Sequence, residues 1–185
     1  MSISRRNFIA STGIGLLAFT LAGQRIWLTP AQAMARNIPF QILNEEEVEL
    51  LDALAEIILP GAKKEGIAHF IDQQLSVPAN ESLFTLRYLG VLPPFAGFYK
   101  KALSAVDQVS KTRYQKNFAT LNTKQANAFV KTMGSSNPDG WQGPPAPLFY
   151  FTLHSDVMDV VYGTQEGFKK LDIPYLAHII PETPW

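Results

Sequence analysis

The chain has 185 residues, with 16 lysines and arginines against 16 aspartates and glutamates, three histidines and no cysteine. Zero net charge argues against a dedicated nucleic-acid binder, which needs a basic face to neutralise phosphates. Lack of cysteine excludes disulfides, iron–sulfur and thiolate zinc sites, haem attached through C-x-x-C-H and a thiol nucleophile, while 46% hydrophobic and 11% aromatic residues supply a core for one domain.

Residues 1–44 carry four arginines (Arg5, Arg6, Arg25, Arg36) and no acidic residue. Behind Arg5-Arg6 comes a soft apolar run from Ile9 to Ala22, broken by Gly13 and Gly15, and then Pro30 and the small-x-small sequence Ala31-Gln32-Ala33. A charged region, an apolar region and a small-residue cleavage site in that order make a secretory signal peptide. Arg5-Arg6 followed by Phe8 resembles the twin-arginine signal, which routes folded proteins for export. Residues 1–33 are therefore expected to be a signal, cut after Ala33 or after Ala35. A membrane anchor fits less well, because the run is shorter than the ~20 residues of a spanning helix and Arg25 stops its extension.

Asn44 with Glu47 forms a capping box, the acidic first turn suits the positive helix end, and apolar residues recur at spacing three and four, so residues 45–59 read as an amphipathic helix stopped by Pro60-Gly61. Residues 66–75 read as a shorter helix and residues 81–92 as irregular or one short helix. Pro93-Pro94 opens a helix to about Lys111. Asn122 with Gln125 opens another to Met133, with Gly134 just past its end. After a loop over 134–147, residues 146–162 form a helix apolar on most sides, hence buried on most sides. The last stretch, 173–185, has three prolines and no period. No alternating strand pattern is visible, so the predicted class is all-α: one helical domain over 40–185, with long Pro- and aromatic-rich loops and an irregular tail.

Chemistry-bearing residues are sparse. His69 has Glu65 four positions before it and Asp72 three after it, so the three could share a helix face and hold a metal, although H-E-x-x-H is absent; a solvated polar edge explains them as well. His154 suits a packed helix and His178 lies in the tail. Asp156 and Asp159 read as a solvated stripe ahead of an acid–base pair. Neither a nucleophile elbow around Ser135-Ser136 nor a glycine-rich phosphate loop is present, and Lys63-Lys64 and Lys169-Lys170 fall short of a phosphate-tracking patch. The positive signal is aromatic excess near irregular sequence: Phe149, Phe151, Tyr162, Tyr175 and Trp185 suit a protein–protein interface, where such side chains supply area at low rotamer cost.

The stretch from Asn44 through Leu59-Pro60-Gly61-Ala62, the segment Gly66-Ile67-Ala68-His69-Phe70-Ile71-Asp72, the pieces Phe149-Tyr150-Phe151 and Val161-Tyr162-Gly163, and the closing Ile173-Pro174-Tyr175-Leu176-Ala177-His178 together resemble the gluconate 2-dehydrogenase subunit 3 family. The segment Thr164–Leu171 departs from the pattern of many members, which carry an Asn/Arg-rich glycine segment and a Trp there. The resemblance implies a small subunit with no cofactor of its own. Its partner would be a large subunit that carries FAD and oxidises a sugar, sugar acid or alcohol, with electrons often passing to a membrane-bound multihaem cytochrome c subunit. It also implies a role in maturing the large subunit and exporting it to the periplasm through the twin-arginine translocase, with Arg5, Arg6 and Phe8 as the signal. The competing expectation is a free-standing exported metal enzyme or ligand-binding module built on His69, Glu65 and Asp72.

Overall fold

The computed structural model describes residues 16–172, so Arg5, Arg6, Phe8, Tyr175, His178 and Trp185 lie outside the described residues. Along the chain come β1 (Leu17–Leu21), β2 (Gln24–Leu28), α1 (Pro30–Ala35), α2 (Glu45–Ile58), α3 (Ile67–Ser76), a 3-10 turn at Thr85–Tyr88, α4 (Ala96–Tyr114), a second 3-10 turn at Phe118–Thr120, α5 (Thr123–Ser135), α6 (Ala146–Tyr162) and α7 (Gln165–Lys170). The body is helical, as expected.

The all-α expectation needs one correction. β1 and β2 form an antiparallel hairpin in which Leu17 faces Leu28 and Phe19 faces Ile26. Leu17, Phe19 and Leu28 are buried, while Ala18 and Thr20 pair with Trp27 and Arg25 on the outer side. The link is Ala22-Gly23, both at positive φ (49° and 76°), as a two-residue type I′ turn demands. The apolar run of the signal reading is thus, over residues 17–21, a half-buried strand. Its period-2 pattern is masked because the outward Ala18 is itself apolar and Leu21, on the inner face, is exposed beside the turn.

α2 begins where its capping box places it: Asn44 accepts from the Glu47 amide at 2.8 Å and Glu47 accepts from the Asn44 amide at 2.9 Å. The Asn122–Gln125 box does the same for α5. α5 does not stop before Gly134. The helix continues to Ser135, and a Cβ at Gly134 would lie 3.3 Å from the Tyr150 ring. The glycine lets α5 approach α6 rather than ending a helix. α4 runs past Lys111 and closes at Gln115 in the left-handed region (φ 56°).

α2 packs on α3, α4, α5, α6 and the 118–120 turn, and α3 packs on β1, α1, α2 and α6. Every residue of α3 from Ile67 to Gln74 is buried, so this short helix is an axle rather than a surface element. Phe84, Tyr99 and Phe149 form the aromatic centre, with Phe84 stacked on Tyr99 at 5.1 Å and Phe149 edge-on to Tyr99 at 5.9 Å. Such pairs add to what area burial alone contributes.

Candidate functional site

The polar residues of α3 from His69 to Gln74 are buried, and each helps to hold a piece of backbone. The Asp72 carboxylate accepts from the amides of Gln41, Ile42 and Leu43, all at 2.8 Å. His69 Nε2 donates to the Ile38 carbonyl at 3.1 Å, and its ring lies between Phe40 (4.4 Å) and Phe19 (6.5 Å). Burial pushes the imidazole below its usual pKa, which suits a neutral ring in an aromatic niche. Gln74 accepts from the Leu83 amide at 2.6 Å and Gln73 reaches the Ala18 carbonyl at 3.4 Å. Among the described residues no buried side-chain nitrogen or oxygen lacks a partner. These contacts fasten the 38–43 connection, the 83 loop and the hairpin onto one helix.

The solvated-edge expectation for His69 and Asp72 is therefore corrected: both are buried latches. The metal alternative does not assemble either. Glu65 pairs with Lys170 at 3.4 Å, Asp72 spends both oxygens on amides, and His69 spends Nε2 on a carbonyl. Among the described residues no group of three or more His, Asp or Glu is placed to hold a metal ion.

Asp156 is likewise not part of a solvated stripe. It sits in the core, where the Tyr99 hydroxyl donates to its carboxyl group. Burial pushes Asp156 up to about 8; the Tyr99 bond opposes that rise and neighbouring Asp159 adds to it. Tyr99 is pushed well above its ordinary value by burial and by Asp156. At neutral pH the pair is a neutral hydrogen-bonded contact joining α4 to α6. His154 stacks at a tilt on Tyr150, centroids 5.7 Å apart.

A polar cleft of about 410 Å³ lies between the start of α2, α4 from Lys100 to Lys111, and the 117–120 segment. Both its lysines are engaged, Lys100 with Glu47 at 2.9 Å and Lys111 with Asp107 at 2.6 Å. A cleft whose cations are already neutralised offers an anionic substrate little to grip.

What stays open is apolar. Leu92 is 84% exposed, Tyr88 78% and Leu83 57%, with Leu89 also exposed, all on the irregular stretch between α3 and α4. Thr85 Oγ1 lies 3.1 Å from Ser155 Oγ, which seats this stretch on the α6 face that carries exposed Phe151 one turn before Ser155 and exposed Met158 one turn after it. Exposed apolar residues also occur on the hairpin (Leu21, Trp27) and at Leu171, but the 83–92 stretch carries the largest exposures, and exposed apolar clusters mark interaction surfaces more often than single residues do. Of the aromatic residues expected at an interface, Phe151 is 52% exposed. Phe149 is a correction: it is fully buried, edge-on to Phe98 and Tyr99, and fills the core. Tyr162 is half-buried against the core.

The profile of the family described as gluconate 2-dehydrogenase subunit 3 matches residues 45–181, from the first residue of α2 into the tail. The chain belongs to the gluconate 2-dehydrogenase subunit 3 family. By that name its members are one subunit of a multi-subunit dehydrogenase. No curated protein and no solved structure matches the chain. The match begins after the hairpin and α1, so the family pattern covers the helical body and leaves the segment that buries Phe19 and Leu28 outside it. Leu83, Tyr88 and Leu92 escaped the sequence reading because an irregular apolar stretch looks the same whether it is tucked in or turned out. The signal that could have found them is Pro93-Pro94, which fixes the backbone beside them.

Proposed function

We propose that this chain is the non-catalytic small subunit of an exported FAD-dependent sugar, sugar-acid or alcohol dehydrogenase, assisting maturation and export of the flavin-bearing large subunit. The carrying observation is the exposed set Leu83, Tyr88, Leu92 and Phe151 on a chain from a family of dehydrogenase subunits. Supporting it, the buried ionisable groups are committed to holding loops and helices, as the Asp72 and Tyr99–Asp156 contacts illustrate. In this reading the FAD belongs to the large subunit, and a multihaem cytochrome c subunit takes the electrons. Arg5-Arg6 and Phe8 send the folded pair through the twin-arginine translocase to the periplasm, where partner subunits hold it at the inner membrane. Phe151 and the 83–92 stretch face the large subunit, and the tail aromatics Tyr175 and Trp185 are assigned to the same contact from sequence alone.

Co-expression with the flavin-bearing subunit tests this. Tyr88→Asp with Leu92→Asp is expected to leave melting of the isolated chain within about 1 kcal/mol of the parent, since both side chains face solvent. Recovery of the large subunit on the tagged small one should fall at least ~10-fold, as buried aromatic and leucine anchors dominate interfaces. Undiminished recovery would remove this surface from the interface. Arg5→Lys with Arg6→Lys should strand both subunits in the cytoplasm, scored as dehydrogenase activity in the periplasmic fraction; unaltered export would refute the routing.

A further inference from the structure

We propose that the folded chain shields its own processing site, so that residues 17–35 stay with the exported protein as a structural layer instead of being removed with a signal. The Ala31-Gln32-Ala33 sequence that would be cut lies within α1, and Ala33 is fully buried. A signal peptidase reads small residues one and three positions before the cut. Ala33 is the residue one before a cut after Ala33 and three before a cut after Ala35, so its burial blocks both.

The backbone there is equally engaged. Thr29 caps α1 through a box with Gln32 (3.1 and 3.2 Å). The Ala33 amide donates to the Thr29 carbonyl at 2.9 Å, and the Ala33 carbonyl accepts from the Ile38 amide at 3.1 Å. A peptidase that binds its substrate as an extended strand would have to break those bonds first. The docking partner is α3, where Gly66 sits at φ +83° and a Cβ would lie 2.3 Å from the Pro30 carbonyl carbon. This is a backbone-on-backbone approach that only glycine permits. Phe19 reaches His69, and Gln73 reaches the Ala18 carbonyl. Removing residues 1–33 would strip Leu17, Phe19, Leu28 and Ala33 from the core and bare the α3 face that carries His69. Losing that buried apolar surface would cost several kcal/mol, comparable with the whole stability of a typical domain.

The inference rests on the export reading only for why a peptidase would meet this chain, so the deciding experiment supplies the enzyme directly and is indifferent to routing. Purified full-length protein is incubated with signal peptidase in detergent micelles, and products are identified by intact mass. The parent chain should be cut after Ala33 or Ala35 roughly 100-fold more slowly than Gly66→Ala, which cannot keep α1 docked, because cutting must wait for local opening. Should Gly66→Ala lose its fold altogether, Phe19→Ala with Leu28→Ala loosens the hairpin alone, and helical circular dichroism shows that the body survives. That variant too should be cut faster. Rapid cutting of the parent with its helical signal intact, or equal resistance of parent and variants, would overturn the proposal. So would a protein recovered from the periplasm whose first residue is Met34 or Arg36; a chain that still carries residues 17–35 is the expected result.

Discussion

Asp72→Ala should cost about 3 kcal/mol of stability, a loss of roughly 10 °C in Tm, with the exposed surface unaltered. One carboxylate closes three amide bonds to consecutive residues, Gln41, Ile42 and Leu43. Bonds to an ionised acceptor are about twice as strong as neutral ones. Leu43 is buried, and its amide would be left in the protein interior with no acceptor. The connection so held feeds directly into Asn44, the cap of α2, so releasing it also loosens the start of the helix that touches four others. Asp72→Asn should fall between parent and Ala. An amide oxygen can still serve Ile42 and Leu43, which share Oδ1, but its NH2 group faces the Gln41 amide as donor against donor. Thermal or denaturant melting of the three proteins decides it: a loss below about 1 kcal/mol for Asp72→Ala would mean that the 41–43 connection holds itself.

How much of this was legible in the sequence depended on whether the cause was local. The starts of α2 and α5 were readable to the residue because capping boxes are made by side chains three positions apart. α6 was readable from its apolar excess and its Pro145 and Gly163 bounds. The roles of Asp72 and His69 were not, since their partners lie about thirty residues away and are backbone atoms without any sequence signature. A polar residue inside an apolar helix looks the same whether it faces water, a metal or a carbonyl. The hairpin was hidden for a different reason. An apolar leader and a buried strand draw on the same residues, and Ala22-Gly23 is a weaker turn signal than Asn-Gly. Phe149 and Phe151 show the limit of composition: two residues apart on one helix, they point to opposite environments, and only the packing of α4 decides which is core.

Stability should fall as pH rises toward 8, and Asp156 should set the slope at the alkaline end. Its carboxyl group is raised from about 3.8 to about 8 by burial, so between those values the folded chain binds a proton that the unfolded chain has released. The stabilisation is complete below about pH 4, is lost as pH rises through 8 and is absent above it. The slope reaches about 1.4 kcal/mol per pH unit, and the loss between pH 7 and 8 is roughly 1 kcal/mol. Asp52, pushed up to about 6 by burial against the pull of Lys63, acts in the same direction but is spent by about pH 7. His69, whose lowered pKa favours folding above its usual value, acts in the opposite direction and below 7. Between pH 7 and 8 neither of these two groups contributes much, and the slope there belongs to Asp156 and to its neighbour Asp159, which burial also raises. Asp156→Asn keeps an oxygen for the Tyr99 hydroxyl and has no proton to lose, so its stability should be much flatter there. Tyr99→Phe should be weaker than the parent throughout and should drop further above pH 8, where an ionised Asp156 would be buried without its donor. Urea melts at half-unit steps give the slopes, and a parent curve with no decline between pH 7 and 8 would show that Asp156 is already ionised in the fold. The bond matters to the outer surface because Asp156 lies on the helix that carries Phe151 and Met158. Fixing α6 against α4 fixes where those two side chains stand.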